Sequence, residues 1–240
     1  MTFRIGNAGW SIPARLRPSF GEAPNGLARY ANRLDCVEIN SSFYRPHARG
    51  TYEKWAATVP KSFRFSVKAP QRITHDLALA GARKDLEEFL AQVAGLGGKL
   101  GCILVQLPPS GGFVAARARA FFALLRARHD GPVACEPRHA SWFEDRADAL
   151  LARHGIARVA ADPARVPAAA DPGGDTSFRY WRLHGSPRMY WSDYPSAYLE
   201  SLSAHMRAGR GVRWCIFDNT AMGHSLDNAL ALTALLRRGR

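Results

Sequence analysis

The 240-residue chain contains no run of eighteen or more apolar residues, which excludes a membrane-spanning helix. Cysteine is sparse. Cys36, Cys102, Cys135 and Cys215 are widely spaced, form no C-x-x-C pair, and each falls inside a strand-like run. That pattern predicts buried reduced thiols rather than a disulfide or metal framework. Neither G-x-G-x-x-G nor a P-loop occurs, and Gly95-Leu96-Gly97-Gly98 precedes a strand and reads as a turn, so no nucleotide cofactor is expected. His-x-His and H-E-x-x-H are also missing. A divalent metal would have to use Glu38, Glu136, His184 and Asn219, and none is expected to be required. The opening Met1-Thr2-Phe3-Arg4-Ile5-Gly6 enters a strand-like run with no secretory apolar region, so a cytoplasmic location is expected.

Lysine is scarce too, at 5 of the 33 basic residues; the other 28 are arginine. Against 20 acidic residues this leaves a net charge of +13, enough to attract polyanions at low salt. Part of that charge belongs to solvated helix faces, as with Arg117, Arg119, Arg126 and Arg128 around the apolar stretch from Phe121 to Leu125. The expected partner is an anionic small molecule or a nucleic acid, and no feature specifies an oligomeric state.

Short β-rich runs followed by amphipathic stretches give eight units. The predicted strands are 3–10, 36–41, 63–68, 102–107, 132–138, 157–162, 178–184 and 212–218. Three helices are clear. Residues 83–94 align Leu86, Phe89, Leu90 and Val93, and residues 195–208 align Tyr198, Leu202 and Met206 after Pro195, with Gly209 as the closing cap. The last helix starts from Ser225 as N-cap. Residues 163–177 hold too many prolines and glycines for a helix, so the connection between strands six and seven is irregular. The expected fold is α/β, a single (β/α)8 TIM-type barrel domain over residues 1–240.

Parallel strands covered by helices normally read as continuous apolar runs. Here four carry polar residues two apart: Glu38/Asn40, Ser66/Lys68, Glu136/Arg138 and Arg182/His184. Residues two apart share a face, and Ile39, Val67, Pro137 and Leu183 between them suit the helix side. The polar members are therefore expected to point into the barrel near the strand C-terminal ends, where active sites of such barrels occur. Gln106, Asp162 and Asn219 finish strands four, six and eight in similar fashion. Lys68, Arg138 and Arg182 against Glu38 and Glu136 predict a cationic pocket, to which His184 can add a proton. Trp10, Phe43, Tyr44, Trp142, Tyr190 and Trp191 crowd the rim, where with Arg45, Arg138 and Arg188 they can stack a ring; His75 and His139 are further rim ligands.

Several of these runs resemble one family. Ile5 to Trp10, Val37 to Arg45, Phe63 to Lys68, Ile73-Thr74-His75, Gln106 to Pro109, Glu136 to Trp142, Arg182 to Gly185 and Asn219-Thr220 are similar, in order, to the YecE-like family, also called domain of unknown function 72. The resemblance implies a TIM-type barrel and no established activity. The chain departs from the usual pattern at Asn7 and Ala8, where Thr-Ser is commoner, at Pro137, where an aromatic is usual, and at Asp218, where a second Asn is common.

The residues support an enzyme using acid–base chemistry on a phosphorylated or other anionic substrate, including nucleic acid. Glu136 is the expected base, His184 or Lys68 the proton partner, with Glu38 in the same catalytic group. Arg138 and Arg182 are the expected charge stabilisers; Asn40, Gln106, Asn219, Tyr44, Trp10, Trp142, His75 and Gly223 are the further substrate contacts. A phosphate is expected between Arg182 and the backbone amides near Gly223. The alternative is a protein that binds nucleic acid or an anionic metabolite at the same mouth without turnover.

Overall fold

The computed structural model describes residues 2–208 and 211–238. Among them are ten strands and eight α-helices, which alternate except where α2 and α3 are consecutive and where β6 to β9 run with no α-helix between them. The strands are β1 (Thr2–Asn7), β2 (Cys36–Ile39), β3 (Arg64–Lys68), β4 (Leu100–Gln106), β5 (Val133–Glu136), β6 (Ile156–Arg158), β7 (Ala160–Asp162), β8 (Gly173–Gly174), β9 (Phe178–Leu183) and β10 (Val212–Phe217). The helices are α1 (Gly26–Ala31), α2 (Ser41–Tyr44), α3 (Arg49–Thr58), α4 (Arg83–Val93), α5 (Ala115–Arg126), α6 (Asp145–Arg153), α7 (Ser196–Arg207) and α8 (His224–Arg237).

The strands form two sheets, in the orders β1-β10-β9-β7 and β2-β3-β4-β5-β6-β8, parallel throughout except for the short β6–β8 pair. The fold is thus mixed α/β with parallel sheets. The sixth predicted strand divides: β6 pairs with β5 in one sheet and β7 with β9 in the other, so a single extended segment passes between the two. At the opposite seam one parallel bridge joins Ala8 to Glu38, and the Gly9 amide donates to the Glu38 carbonyl at 2.9 Å. Gly6 is required nearby, because a Cβ there would overlap the carbonyl oxygen of Cys36.

Alternation along the strands sorts the core into two layers. Ile5, Val37, Ile39, Val67, Val105 and Leu183 pack in the layer that includes the buried helix faces, among them Leu86, Phe89 and Val93 of α4. Cys36, Cys102, Leu104, Ala134, Ala157, Phe178, Tyr180, Trp214 and Ile216, drawn from both sheets, make a second apolar cluster. Cys36, Cys102, Leu104, Ala134, Phe178 and Tyr180 share parity with the predicted inward residues of their own strands and precede them, whereas Ala157, Trp214 and Ile216 do not share the parity of Asp162 and Asn219. All four cysteines are buried and free.

Two helix starts differ from expectation. Helix α8 begins at His224, with Gly223 at the N-cap position at φ 77, so Ser225 lies in the first turn and not at the cap. Pro195 stands at the N-cap position of α7, whose buried face comprises Leu199, Leu202, Ser203 and Met206; Gly209 lies outside the described residues. The irregular 163–177 connection holds only a short 3-10 turn (Pro167–Ala170) and β8.

Candidate functional site

Above the apolar inner layer, at the C-terminal ends of the strands, the polar residues converge. Arg182, 1% exposed on β9, is the hub. Its Nη2 donates to Glu38 Oε1 at 2.7 Å and its Nε to Glu38 Oε2 at 3.1 Å, a two-point clamp reaching across to the other sheet. Its Nη1 donates to Glu136 Oε2 at 2.7 Å, and Nη2 also reaches Asp218 Oδ2 at 3.1 Å. Tyr180, two residues back on the same strand face, donates its hydroxyl to Glu38 Oε2 at 2.8 Å and lies 2.9 Å from Ser66 Oγ.

His184 lies between two carboxylates. Its Nδ1 is 3.1 Å from Asp218 Oδ2 and its Nε2 is 2.9 Å from Glu136 Oε1, while Arg138 Nη2 stands 3.3 Å from the same Nε2. A doubly protonated ring donates to both carboxylates; a ring protonated only at Nδ1 donates to Asp218 and accepts from Arg138. Arg138 also donates to Glu136 Oε1 from Nε at 3.3 Å and from Nη2 at 3.2 Å. Each proton position therefore has a partner waiting, which suits a relay.

Two expectations are corrected by this geometry. The cluster is not cationic: Asp218 supplies a third carboxylate, so Glu38, Glu136 and Asp218 balance Lys68, Arg138 and Arg182 when His184 is neutral. Nor is Glu136 shaped for a strong base. Burial pushes its carboxyl up, yet Arg182, Arg138 and His184 more than offset this and hold it well below the usual carboxylate range. Asp218 is lowered in the same way: burial opposes, and Arg182 and His184 prevail.

Lys68 is the exception in this network. It is 8% exposed, and its Nζ lies 3.9 Å from the centre of the Phe43 ring. Among the described residues the ammonium makes no hydrogen bond and no ion pair within 4 Å, because Arg182 and Arg138 occupy the carboxylates. Burial, reinforced by the charge of Arg182, lowers its pKa to about 8 despite the opposing pull of Glu136, Glu38 and Asp218.

The remaining predicted contacts spread around the rim. Gln106 is buried beside Glu136 in the sheet register, and its amide donates to the Leu107 carbonyl at 3.2 Å. Asn40 and Trp10 line a cavity of about 710 Å³, and Asn40 Oδ1 has no partner there. His75 and Trp142 line another, of about 510 Å³, shared with Phe113, Arg117, His139 and Ser141. Trp142 is itself buried, its indole donating to Gly111 O at 2.9 Å. Tyr44 is exposed and meets Phe43 edge-on.

Asn219 points away from the cluster. It is fully buried, and its amide donates to Ser192 O and Asn228 Oδ1, both at 2.9 Å, tying the loop after β9 to α8. The expected phosphate cradle does not form either. Arg182 is committed to three carboxylates, and the amides of Gly223 and Ser225 donate to Thr220 O and Asn219 O.

Asp218 and Tyr180 are site residues missed in the sequence, and Tyr190, expected only as a rim aromatic, also meets His184. Tyr180 shares the parity of Arg182 and His184, and that signal could have found it. Asp218 directly follows β10, on the parity of the inward Ile216. Tyr190 reaches His184 from a loop, with ring centres 5.9 Å apart, and no spacing rule marks it.

A protein-family model described as "Protein of unknown function DUF72" matches residues 4–240. The chain belongs to the DUF72 family. Among curated DUF72-like relatives, UPF0759 protein YunF of Bacillus subtilis (strain 168) is 26% identical, over 97% of this chain and 94% of that protein. UPF0759 protein YecE of Escherichia coli (strain K12) is 31% identical over 108 residues, where the match spans 45% of this chain and 38% of the length of YecE. A solved DUF72 family protein from Thermotoga maritima MSB8 superposes with a TM-score of 0.83 at 24% identity, over 99% of this chain and 100% of that one. A more distant structure with a TIM-barrel fold, D-psicose 3-epimerase with D-tagatose from Clostridium cellulolyticum H10, gives a TM-score of 0.57 at 10% identity, covering 99% of each chain. These likenesses concern the fold.

Proposed function

We propose that the chain is a single-domain (β/α)8 TIM-type barrel enzyme that performs acid–base chemistry on a phosphorylated or other anionic substrate, a small molecule or a nucleic acid. Barrel closure is supported by the two seams: the split 156–162 segment serves both sheets, and the Ala8–Glu38 bridge joins their other edges. The observation that carries the functional reading is the unpaired, buried Lys68 ammonium beside an otherwise saturated ion network. A buried charge left without a partner is costly, and such cost is concentrated at functional sites.

The roles follow from the electrostatics. Lys68 exchanges the proton with substrate, since its lowered pKa holds it near the working range. His184, between Glu136 and Asp218, relays it. Lys68 and Arg138 meet the substrate anion, and Glu136 with Glu38 fixes Arg182. The reading needs no cofactor: Arg182 already pairs the carboxylates that would ligate a divalent ion. The cytoplasm suits four buried free thiols.

One observation favours the second reading, a binder without turnover: both oxygens of Glu136 are engaged, leaving no free carboxylate base there. Native mass spectrometry of the purified protein tests both. A retained anionic molecule that Lys68→Met and Arg138→Met lose supports the site. Its chemical conversion on incubation identifies an enzyme, its unchanged release a binder. Equal retention by both variants rejects the site.

A further inference from the structure

Resting on the proposed site and deepening it, we infer that Lys68 is a nucleophile that forms an imine with a carbonyl group of the anionic substrate. The amine stands at the end of a buried stem, over the Phe43 face, and has no carboxylate to hold it as an ammonium. Lysine becomes nucleophilic when desolvated in apolar surroundings or placed near another cation. Both conditions hold. Phe43 supplies the apolar wall, and the buried Arg182 charge acts on Lys68. With its pKa near 8, a working fraction of the amine is neutral at physiological pH.

One ring beyond Phe43 lies a cavity that can take the rest of the substrate. The Phe43 ring lies 5.0 Å from the His75 ring, and His75 lines the 510 Å³ cavity bounded by Leu107, Phe113, His139 and Trp142. Apolar walls there suit a carbon skeleton, while Arg117 and His139 supply polar ends. The substrate class is therefore an anionic aldehyde or ketone.

The step balances without any redox partner. The Lys68 Nζ lone pair attacks the carbonyl carbon, forming a C–N bond as the C=O π pair moves to oxygen, which takes a proton. The amine nitrogen loses a proton, the carbinolamine oxygen takes a second and leaves as water, and the nitrogen lone pair forms the C=N bond. Solvent water supplies and takes up these protons. The protonated imine then acts as an electron sink for proton removal or bond cleavage at the adjacent carbon.

The test uses the whole protein, glyoxylate as an anionic aldehyde, and sodium cyanoborohydride to fix any imine as a stable amine, followed by peptide mapping. Lys54, Lys61, Lys84 and Lys99 are internal controls, Lys99 being already bonded to the carbonyls of Ala56 and Val59. Lys68 is expected to gain one carboxymethyl group at least about tenfold faster than the exposed lysines near pH 7, given its larger free-amine fraction. Lys68→Arg, which keeps the charge, should lose only that fast-labelled site and keep the melting temperature. Labelling of Lys68 no faster than Lys84 overturns the imine step. The acid–base reading would survive that result, because it fails only if Lys68→Met and Arg138→Met both keep their anionic ligand.

Discussion

Arg182 and Glu38 meet in a two-point clamp, Nη2 to Oε1 at 2.7 Å and Nε to Oε2 at 3.1 Å, that ties the four-stranded sheet to the six-stranded one. Neither residue is solvated, and the same guanidinium also holds Glu136 and Asp218. Replacing Arg182 by Met leaves three carboxylates facing one another at low dielectric. A loss of about 3–5 kcal/mol is expected, as for other broken buried pairs. Urea unfolding followed by circular dichroism measures it, and a loss under about 1 kcal/mol contradicts the hub assignment.

Lys68 should behave in the opposite sense. Its pKa is lowered in the folded state to about 8, so between there and the unfolded value near 10.4 the unfolded chain binds more protons. Stability then rises with pH through that window, and below it the buried charge destabilises in full. Lys68→Met is expected to raise the melting temperature at pH 7, with the gain fading toward pH 10. A gain that persists unchanged to pH 10.5 contradicts this origin.

The acid limb belongs to Glu136 and Asp218, both depressed when folded. Their stabilisation is complete above the unfolded carboxylate values near 4 and is lost as pH falls through the folded ones. Glu136→Gln should be less stable than the parent at pH 7, and the gap should narrow on acidification. Parallel melting curves from pH 7 to pH 2.5 would show otherwise.

Asp218 offers a charge test. Asp218→Asn removes one acceptor from Arg182 and from His184 and shifts the balanced cluster by one positive charge. Phosphate, used as an anion probe, should bind several-fold more tightly, and the gain should shrink between 50 and 300 mM salt. Calorimetry reads both. Unchanged affinity at low salt places the anion out of reach of this cluster.

At the seam, Gly6→Ala should destabilise by about 1–3 kcal/mol, since the added methyl meets the Cys36 backbone rather than a movable side chain. Thermal unfolding of the variant reports it, and a neutral effect would mean that β1 and β2 separate easily.

Most strand positions and the polar face of the candidate site were legible in the sequence because both depend on local periodicity. A polar residue repeated every second position, as in Glu136/Arg138 and Arg182/His184, fixes a face whatever the strand packs against. The covered helix stripes, such as Leu86, Phe89 and Val93, follow equally from spacing. Which of those inward charges pair was not legible, since ion pairing depends on distances between residues up to 144 positions apart. Only the tertiary structure gave Arg182 to Glu38, Glu136 and Asp218, turned Asn219 toward Asn228, and committed the amides near Gly223 to their own turn. By the same means it left Lys68 without a carboxylate: one guanidinium with five donors can occupy several acceptors, and a lysine beside it then keeps its burial cost uncompensated.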